Sequence, residues 1–348
     1  MHGVRIDRHA PQLSSILGLK RTLTACREPG ALRSLPISRD SNYSDLRLDV
    51  PNIKETRFHM SNTAWTLEDL VAPLPEAAFL PLLRERKLTL VRGTGAHPLT
   101  ELVSWEALRR LIERGEYPRG RDDIRVSKES EAVPQDRWTT NGKVDTTKLE
   151  VLLAKGYNIV ITHIEQQIAP LATLCANIKL RLSEVIFAGV IVTTGIDGAF
   201  KRHYDPEDLV ILQIEGSKRW QIFGPAVSNP VMGMPKQSPP QGEPIFDEVL
   251  HAGDILLVPG GNWHHCENGP GRSVHVGIFF IPPTPWHAVD VLSSRLLSEE
   301  MFRTRLSRVE NDAELATLEV EIKKRLIEKI GELNLDEFVA EWGKKRKS

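Results

Sequence analysis

The chain is short of cysteine, of net charge and of long apolar runs, and each shortage removes a class of protein. Its three cysteines, Cys26, Cys175 and Cys266, lie far apart and form no Cys-x-x-Cys pair. Neither a disulfide framework nor a structural zinc site is therefore expected, and a reducing cytoplasm is the expected location. The 45 basic and 46 acidic residues leave a formal net charge of −1. That balance offers no electrostatic footprint for a nucleic acid or an anionic membrane, and neither is expected as a partner. No apolar run reaches the ~18 residues needed to span a bilayer. The basic N-terminus has no apolar stretch followed by a cleavage site, so a secretory signal is not expected. With 41% hydrophobic and 26% charged residues over 348 positions, an ordinary globular chain remains, of one large domain with appendages or of two domains.

Residues 1–59 are rich in Arg, Ser and Pro, show little periodicity, and read as a disordered extension. Ser61-Asn62-Thr63, ahead of an amphipathic segment, reads as a capped helix start. The region 60–184 then mixes helices and strands. Short helices are predicted over 67–70, 79–83, 105–112 and 168–182, and strands over 88–91 and 157–162. The polar stretch 118–148 reads as a long loop or irregular strands. Residues 185–285 are rich in strands, predicted over 190–194, 209–214, 219–223, 255–258 and 273–281. Glu215-Gly216-Ser217 reads as a hairpin turn. Short strands so spaced predict an antiparallel barrel or a double-sheet jelly roll. After Pro282-Pro283-Thr284-Pro285 the region 286–348 turns helical, over 288–306 and 313–342. Leu315, Leu318, Ile322, Leu326, Ile330 and Leu333 would line one face, suited either to a homodimer or to packing on the same chain. The basic end, 344–347, reads as a solvated tail.

Two segments bring metal-binding chemistry. In Phe200-Lys201-Arg202-His203-Tyr204-Asp205-Pro206, His203 and Asp205 are two apart, so on a strand they point to one side. Alone, a His-x-Asp pair is weakly specific. The second segment, Gly253-Asp254-Ile255-Leu256-Leu257-Val258-Pro259-Gly260-Gly261-Asn262-Trp263-His264-His265, runs from a turn through an apolar strand into a second turn and a histidine pair. Two histidines and one carboxylate on one side of an octahedral metal leave three positions open, the arrangement of non-haem Fe(II) oxygenases. Lys218 follows the Glu-Gly-Ser turn. A lysine pointing into a barrel is costly unless it meets an anion, and a dicarboxylate provides one; the alternative is that Lys218 faces solvent.

The run His203-Tyr204-Asp205, Glu215-Gly216-Ser217-Lys218-Arg219-Trp220, Gly253 to Gly260 and Trp263-His264 resembles the cupin-4 branch of the JmjC oxygenases, which includes ribosomal-protein hydroxylases. The likeness extends over roughly 65–285, with its motif core at 187–280. It implies a mainly β fold with flanking helices, a double-stranded β-helix of the jelly-roll (cupin/JmjC) kind, here followed by a C-terminal helical segment. It further implies Fe(II) as metal, 2-oxoglutarate as cosubstrate and O2, with hydroxylation of an unactivated C–H on a protein, peptide or small-molecule substrate. Carried over residue by residue, the metal ligands and catalytic set fall on His203, Asp205 and His264, with His265 as the alternative to His264. The residue for the far carboxylate of 2-oxoglutarate falls on Lys218, and Thr193 and His275 are assigned to the cosubstrate with it; the alternative for His275, on the last barrel strand, is a buried histidine hydrogen-bonded to a neighbour. The sequence departs from the family at Gly189 and Ile191, where Asn and Tyr are usual. It departs again at Lys201 and Arg202, where small residues or Pro precede the metal histidine. A cupin isomerase, a dioxygenase independent of 2-oxoglutarate, and a non-catalytic binding module are the rival readings.

Overall fold

The computed structural model describes residues 65–93, 97, 99–114, 123–195, 200–235 and 237–342. The extension expected over 1–59, the cap expected at 61–63 and the basic end at 344–347 lie outside them. The first described helix, α1 (Leu67–Val71), is capped by Thr66, whose side chain and that of Asp69 each satisfy the other's backbone N–H. It is followed by α2 (Glu76–Arg84), β1 (Thr89–Val91), α3 (Thr100–Val103) and α4 (Trp105–Glu113). Among its described residues, the stretch read as loop or irregular strands contains β2 (Ile124–Lys128), β3 (Glu131–Ala132), β4 (Thr139–Thr140) and β5 (Lys143–Val144). It also contains the start of an unexpected helix, α5 (Thr146–Ala154), whose N-cap is Asp145. After β6 (Asn158–Thr162), α6 (Ala169–Leu182) ends at Ser183, which takes the left-handed conformation at φ 56°.

The remaining strands are β7 (Val185–Thr194), β8 (Asp208–Glu215), β9 (Ser217–Pro225), β10 (Phe246–His251), β11 (Ile255–Val258), β12 (Asn262–Asn268) and β13 (Arg272–Ile281). They form two facing layers of a double-stranded β-helix. The larger sheet has eight strands in the order β1-β11-β8-β13-β7-β6-β2-β3, and the smaller has three, β10-β9-β12. Strands from before residue 185 thus complete the larger sheet on both sides.

The layering follows from alternation along the strands. On β8, Val210 and Leu212 face one way, into a core shared with Leu171, Leu174 and Ile178 of α6. Leu209 and Ile211 face the other way, into a cluster with Trp220 and Ile222 of β9 and Leu256 and Val258 of β11. Both faces of the central strands are buried, which is why Ile255-Leu256-Leu257-Val258 is a continuous apolar run without alternation. Each such Leu or Ile contributes about 1.5–3 kcal/mol by leaving water.

Glu215-Gly216-Ser217 is not a hairpin. β8 and β9 belong to different sheets, and the chain turns a corner from one layer into the other. Gly216 sits at φ +66°, and a Cβ there would collide with Arg272 O. Glu215 is tied to a distant helix by accepting the Trp105 N–H at 2.9 Å. Lys218 consequently runs beside β12, opposite Asn268, and not beside the strand that follows the His-x-Asp pair.

The C-terminal segment also differs from expectation. The first predicted helix stops early, as α7 (Pro285–Leu296), and gives way to short 3-10 turns. The second divides into α8 (Asp312–Gly331) and α9 (Leu335–Trp342), because Asn334 accepts the Glu337 N–H at 3.1 Å and starts a new helix. No residue of α8 is buried. Of its predicted stripe, Leu318, Ile322 and Leu326 are half-buried, while Leu315 and Ile330 are 40% and 59% exposed.

Candidate metal centre

His203 and His264 are directly opposite in an isolated antiparallel bridge: His264 N–H donates to His203 O at 2.7 Å and His203 N–H to His264 O at 3.1 Å. Facing residues of such a pair project to the same side, and the two rings lie 4.3 Å apart between centroids. A bulge between Trp263 and His264 sets the phase of β12 so that His264 turns inward. Asp205, two residues beyond His203, joins them. Ligand atoms of His203, Asp205 and His264 all lie within 4.8 Å of one another, and this is the only such group among the described residues.

The Pro259-Gly260-Gly261 turn holds the Asp205 segment in place. Gly261 N–H donates to Asp205 O at 2.7 Å, and Gly260 N–H to Asp208 Oδ1 at 2.6 Å. A Cβ on Gly260 would collide with Pro206 O, so the two backbones approach as closely as only glycine allows.

Both imidazoles present the same nitrogen. His203 Nδ1 lies 2.8 Å from Lys201 O and His264 Nδ1 lies 3.0 Å from Asn262 O. A carbonyl only accepts, so each Nδ1 carries a proton, and in the neutral form of either ring the lone pair lies on Nε2. Burial, reinforced by the neighbouring His203, pushes His264 down to about 4, so its ring is neutral at ordinary pH. His265 points elsewhere: its Nδ1 donates to Phe200 O at 3.1 Å and its Nε2 lies 4.0 Å from Glu267. The geometry brings His264, and not His265, to the cluster.

Beyond the three donors the inner space is polar and incompletely paired. Lys218 is 2% exposed, and among the described residues its one hydrogen bond is donated to Thr193 Oγ1 at 3.4 Å. Burial brings its ammonium down to about 8. Trp220 stands with its ring centroid 5.6 Å from that of His264 and 5.6 Å from that of His275. His275 is buried, and desolvation holds it far below the usual histidine range, so it is neutral. Trp220 Nε1, His275 Nδ1 and Gln213 Oε1 are buried without a hydrogen-bond partner among the described residues. A buried lysine with one long hydrogen bond, beside buried polar atoms that lack one, is unfavourable unless an anionic, hydrogen-bonding ligand completes it. The donor set fits Fe(II), and the buried ammonium with these buried polar atoms fits a small dicarboxylate.

Trp220, Gln213 and Asn268 are absent from the sequence-based site. Counting by twos would have found them. Gln213 is the polar residue on the inward series Leu209, Ile211, Gln213, and Asn268 continues the series His264, Cys266. The departures from the family pattern also have places. Gly189 faces Gly277 across β7 and β13, with the Phe279 ring lying over both, and Ile191 lies opposite His275. The Arg202 guanidinium lies 3.5 Å over the Phe223 ring and donates to Pro240 O at 2.8 Å, away from the metal donors.

A double-stranded β-helix with two histidines and an aspartate at one end defines the class. Residues 163–291 match the JmjC domain. Among curated proteins it is similar to the bifunctional lysine-specific demethylase and histidyl-hydroxylase NO66 of Drosophila persimilis, 29% identical over 205 residues, covering 58% of this chain and 29% of that one. The NO66 of Dictyostelium discoideum is 35% identical over 112 residues, 30% of this chain and 21% of that one. The chain spans about a quarter of the length of the first such relatives, 29%, 24% and 26%. Among solved structures it is similar to YcfD, a ribosomal oxygenase from Escherichia coli in complex with cobalt and succinic acid, with a TM-score of 0.48 and 17% identity, covering 76% of this chain and 69% of that one. No helix among the described residues is long and apolar enough to cross a membrane.

Proposed function

We propose that the chain is an Fe(II)- and 2-oxoglutarate-dependent oxygenase that hydroxylates a side chain of a protein or peptide. One observation carries this reading: a ligand atom from each of two histidines and one carboxylate converge within 4.8 Å, with the buried Lys218 on the strand paired to that of His264. His203, Asp205 and His264 would hold the metal, and Lys218 the far carboxylate of 2-oxoglutarate through a charge-assisted contact. Once bound with cosubstrate and O2, the iron supplies the oxidising power for an unactivated C–H bond. The protein's own contributions are geometric: the Nδ1 contacts fix both rings, and Leu209, Ile211, Ile222, Leu256 and Val258 keep water from the inner end. Histidyl hydroxylation and lysine demethylation, the activities named for the NO66 relatives, both act on protein side chains and support that substrate class. Residence in the cytoplasm belongs to the same reading, to which the free thiols Cys175 and Cys266 are suited.

The test is anaerobic reconstitution with Fe(II) and 2-oxoglutarate, then exposure to O2 with ribosomal proteins, peptides or free amino acids. Succinate release that needs both 2-oxoglutarate and a protein or peptide is the expected result. Release with free amino acids alone would point to a small-molecule substrate, and no binding of iron or cosubstrate would leave a non-catalytic module.

The charge state of Lys218 predicts a pH profile. A protonated ammonium binds the dicarboxylate, and its proton leaves at about 8 in the free protein. Cosubstrate affinity is therefore expected to be level below that pH and to fall about tenfold per pH unit above it. Isothermal titrations from neutral to alkaline pH would show the bend; an affinity level throughout would remove Lys218 from this role.

The half-covered stripe of α8 is the surface on which this reading places a second copy of the chain. Leu315 and Ile330, 40% and 59% exposed, are the apolar residues that the same helix of a partner would cover. Light scattering should give twice the chain mass, and Ile330→Glu should return it to one; a monomeric wild type would count against this surface.

A further inference from the structure

We propose that Asn268 and Thr193 act in series as positioning residues for Lys218, so that the Thr193 hydroxyl serves the lysine and does not donate to the cosubstrate. This rests on the oxygenase reading above for the identity of the ligand, but the arrangement is one of the chain's own residues. Asn268 ends β12 directly across from Lys218 and lies on the inward series of His264. It is 6% exposed. Its Nδ2 donates to Gly195 O at 2.9 Å. Since a carbonyl cannot donate, this contact fixes the amide and turns Oδ1 toward Thr193. Thr193 Oγ1 donates to that oxygen at 2.6 Å.

A hydroxyl has one proton, and here it is committed. What Thr193 offers toward Lys218 is a lone pair, and the ammonium donates to it at 3.4 Å. A lysine stem is flexible and loses considerable freedom when its head is held at one point. One fixed acceptor orients that head and leaves its other protons for an anion. The chain Gly195–Asn268–Thr193–Lys218 therefore runs in a single donor direction at Thr193, and the far carboxylate of 2-oxoglutarate meets Lys218 while Thr193 acts at one remove.

The test is a double-mutant cycle on the full chain loaded with Fe(II) under anaerobic conditions, with 2-oxoglutarate binding followed by the charge-transfer absorbance of its iron chelate. Thr193→Val is expected to weaken binding about tenfold, Asn268→Ala by several-fold in the same direction, and Thr193→Ser by less than about twofold. In a Lys218→Met background, Thr193→Val should add less than about twofold, because the residue it positions is gone. Effects that multiply across the cycle would mean that Thr193 touches the cosubstrate directly, and would overturn the proposal. A second readout needs no cosubstrate: the NMR titration of Lys218 in the unloaded protein should move to lower pH in Thr193→Val and in Asn268→Ala, since an acceptor of the ammonium is lost or loosened. An unmoved titration would also overturn it. If the wild type binds no 2-oxoglutarate but the Lys218 titration responds, the oxygenase reading fails and the positioning role stands.

Discussion

Replacing Asp205 with alanine is expected to abolish Fe(II)-dependent succinate formation while leaving the fold intact. Asp205 is the one anionic member of the cluster, its carboxylate 3.7 Å from His264 Nε2. Without it the site offers two neutral imidazoles, and metal affinity should fall by more than the roughly hundredfold that loss of an outer partner of a metal ligand causes. The fold has little to lose. The Asp205 side chain is 32% exposed, and the contact that secures the segment, Gly261 N–H to Asp205 O, is made by backbone. The stability of the metal-free variant should stay within about 0.5 kcal/mol of wild type. His265→Ala is the matching control, because that ring is tied to Phe200 O outside the cluster. Calorimetric metal titrations decide between them. Wild-type iron affinity in Asp205→Ala, or its loss in His265→Ala, would be incompatible with the ligand set.

The contrast between His264 and His265 shows what a sequence can and cannot carry. Adjacent strand residues face opposite ways, so only one of the pair can face inward, but which one depends on the phase of β12. That phase is set by the bulge after Trp263 and by the bridge to His203, a residue far away in sequence. The same reasoning explains the strands that were legible. β7, β11 and β13 belong to a sheet covered on both sides, so their β-branched and aliphatic runs stand out. β10, Phe246-Asp247-Glu248-Val249-Leu250-His251, lies in the smaller sheet, with only Leu250 buried and its other residues half-buried or exposed. Its polar residues lack the continuous apolar run of those strands, and no strand is predicted there.

The corner at Gly216 failed for a different reason. Glu-Gly-Ser suits a hairpin and a change of layer equally, and what selects between them is the close approach of Arg272 and the Trp105 contact, both remote in sequence. The consequence reaches the site. On a hairpin, Lys218 would have paired with the strand after the His-x-Asp motif; at the corner it lies beside β12, on the strand carrying His264. In the C-terminal region the periodicity of apolar residues passes straight through the breaks, because spacing records a face and not a helix end, and the Asn334 cap is the local signal that marks one.

Lys218→Met is expected to have opposite effects on the empty protein and on its complex. Methionine keeps most of the aliphatic stem and removes the charge. In the complex, truncating one partner of a buried charged pair costs about 2–5 kcal/mol, so 2-oxoglutarate affinity should drop by roughly thirtyfold to several thousandfold. In the empty protein the ammonium is a burden: it is 2% exposed, has one long hydrogen bond, and is held down at about 8 against an ordinary value of 10.5. The unfolded chain thus binds this proton more tightly than the folded one, a disadvantage to folding that is full below pH ~8 and fades as pH rises toward ~10.5. Removing the charge should stabilise the empty protein by about 3 kcal/mol at neutral pH, and by much less at pH ~10. Denaturation midpoints at the two pH values, with anaerobic cosubstrate titrations alongside, measure both effects. Unchanged affinity would take Lys218 out of cosubstrate binding. A less stable empty variant would mean that the folded chain already satisfies this ammonium without a ligand, and with it would go the reason for regarding the surroundings of Lys218 as suited to an anion.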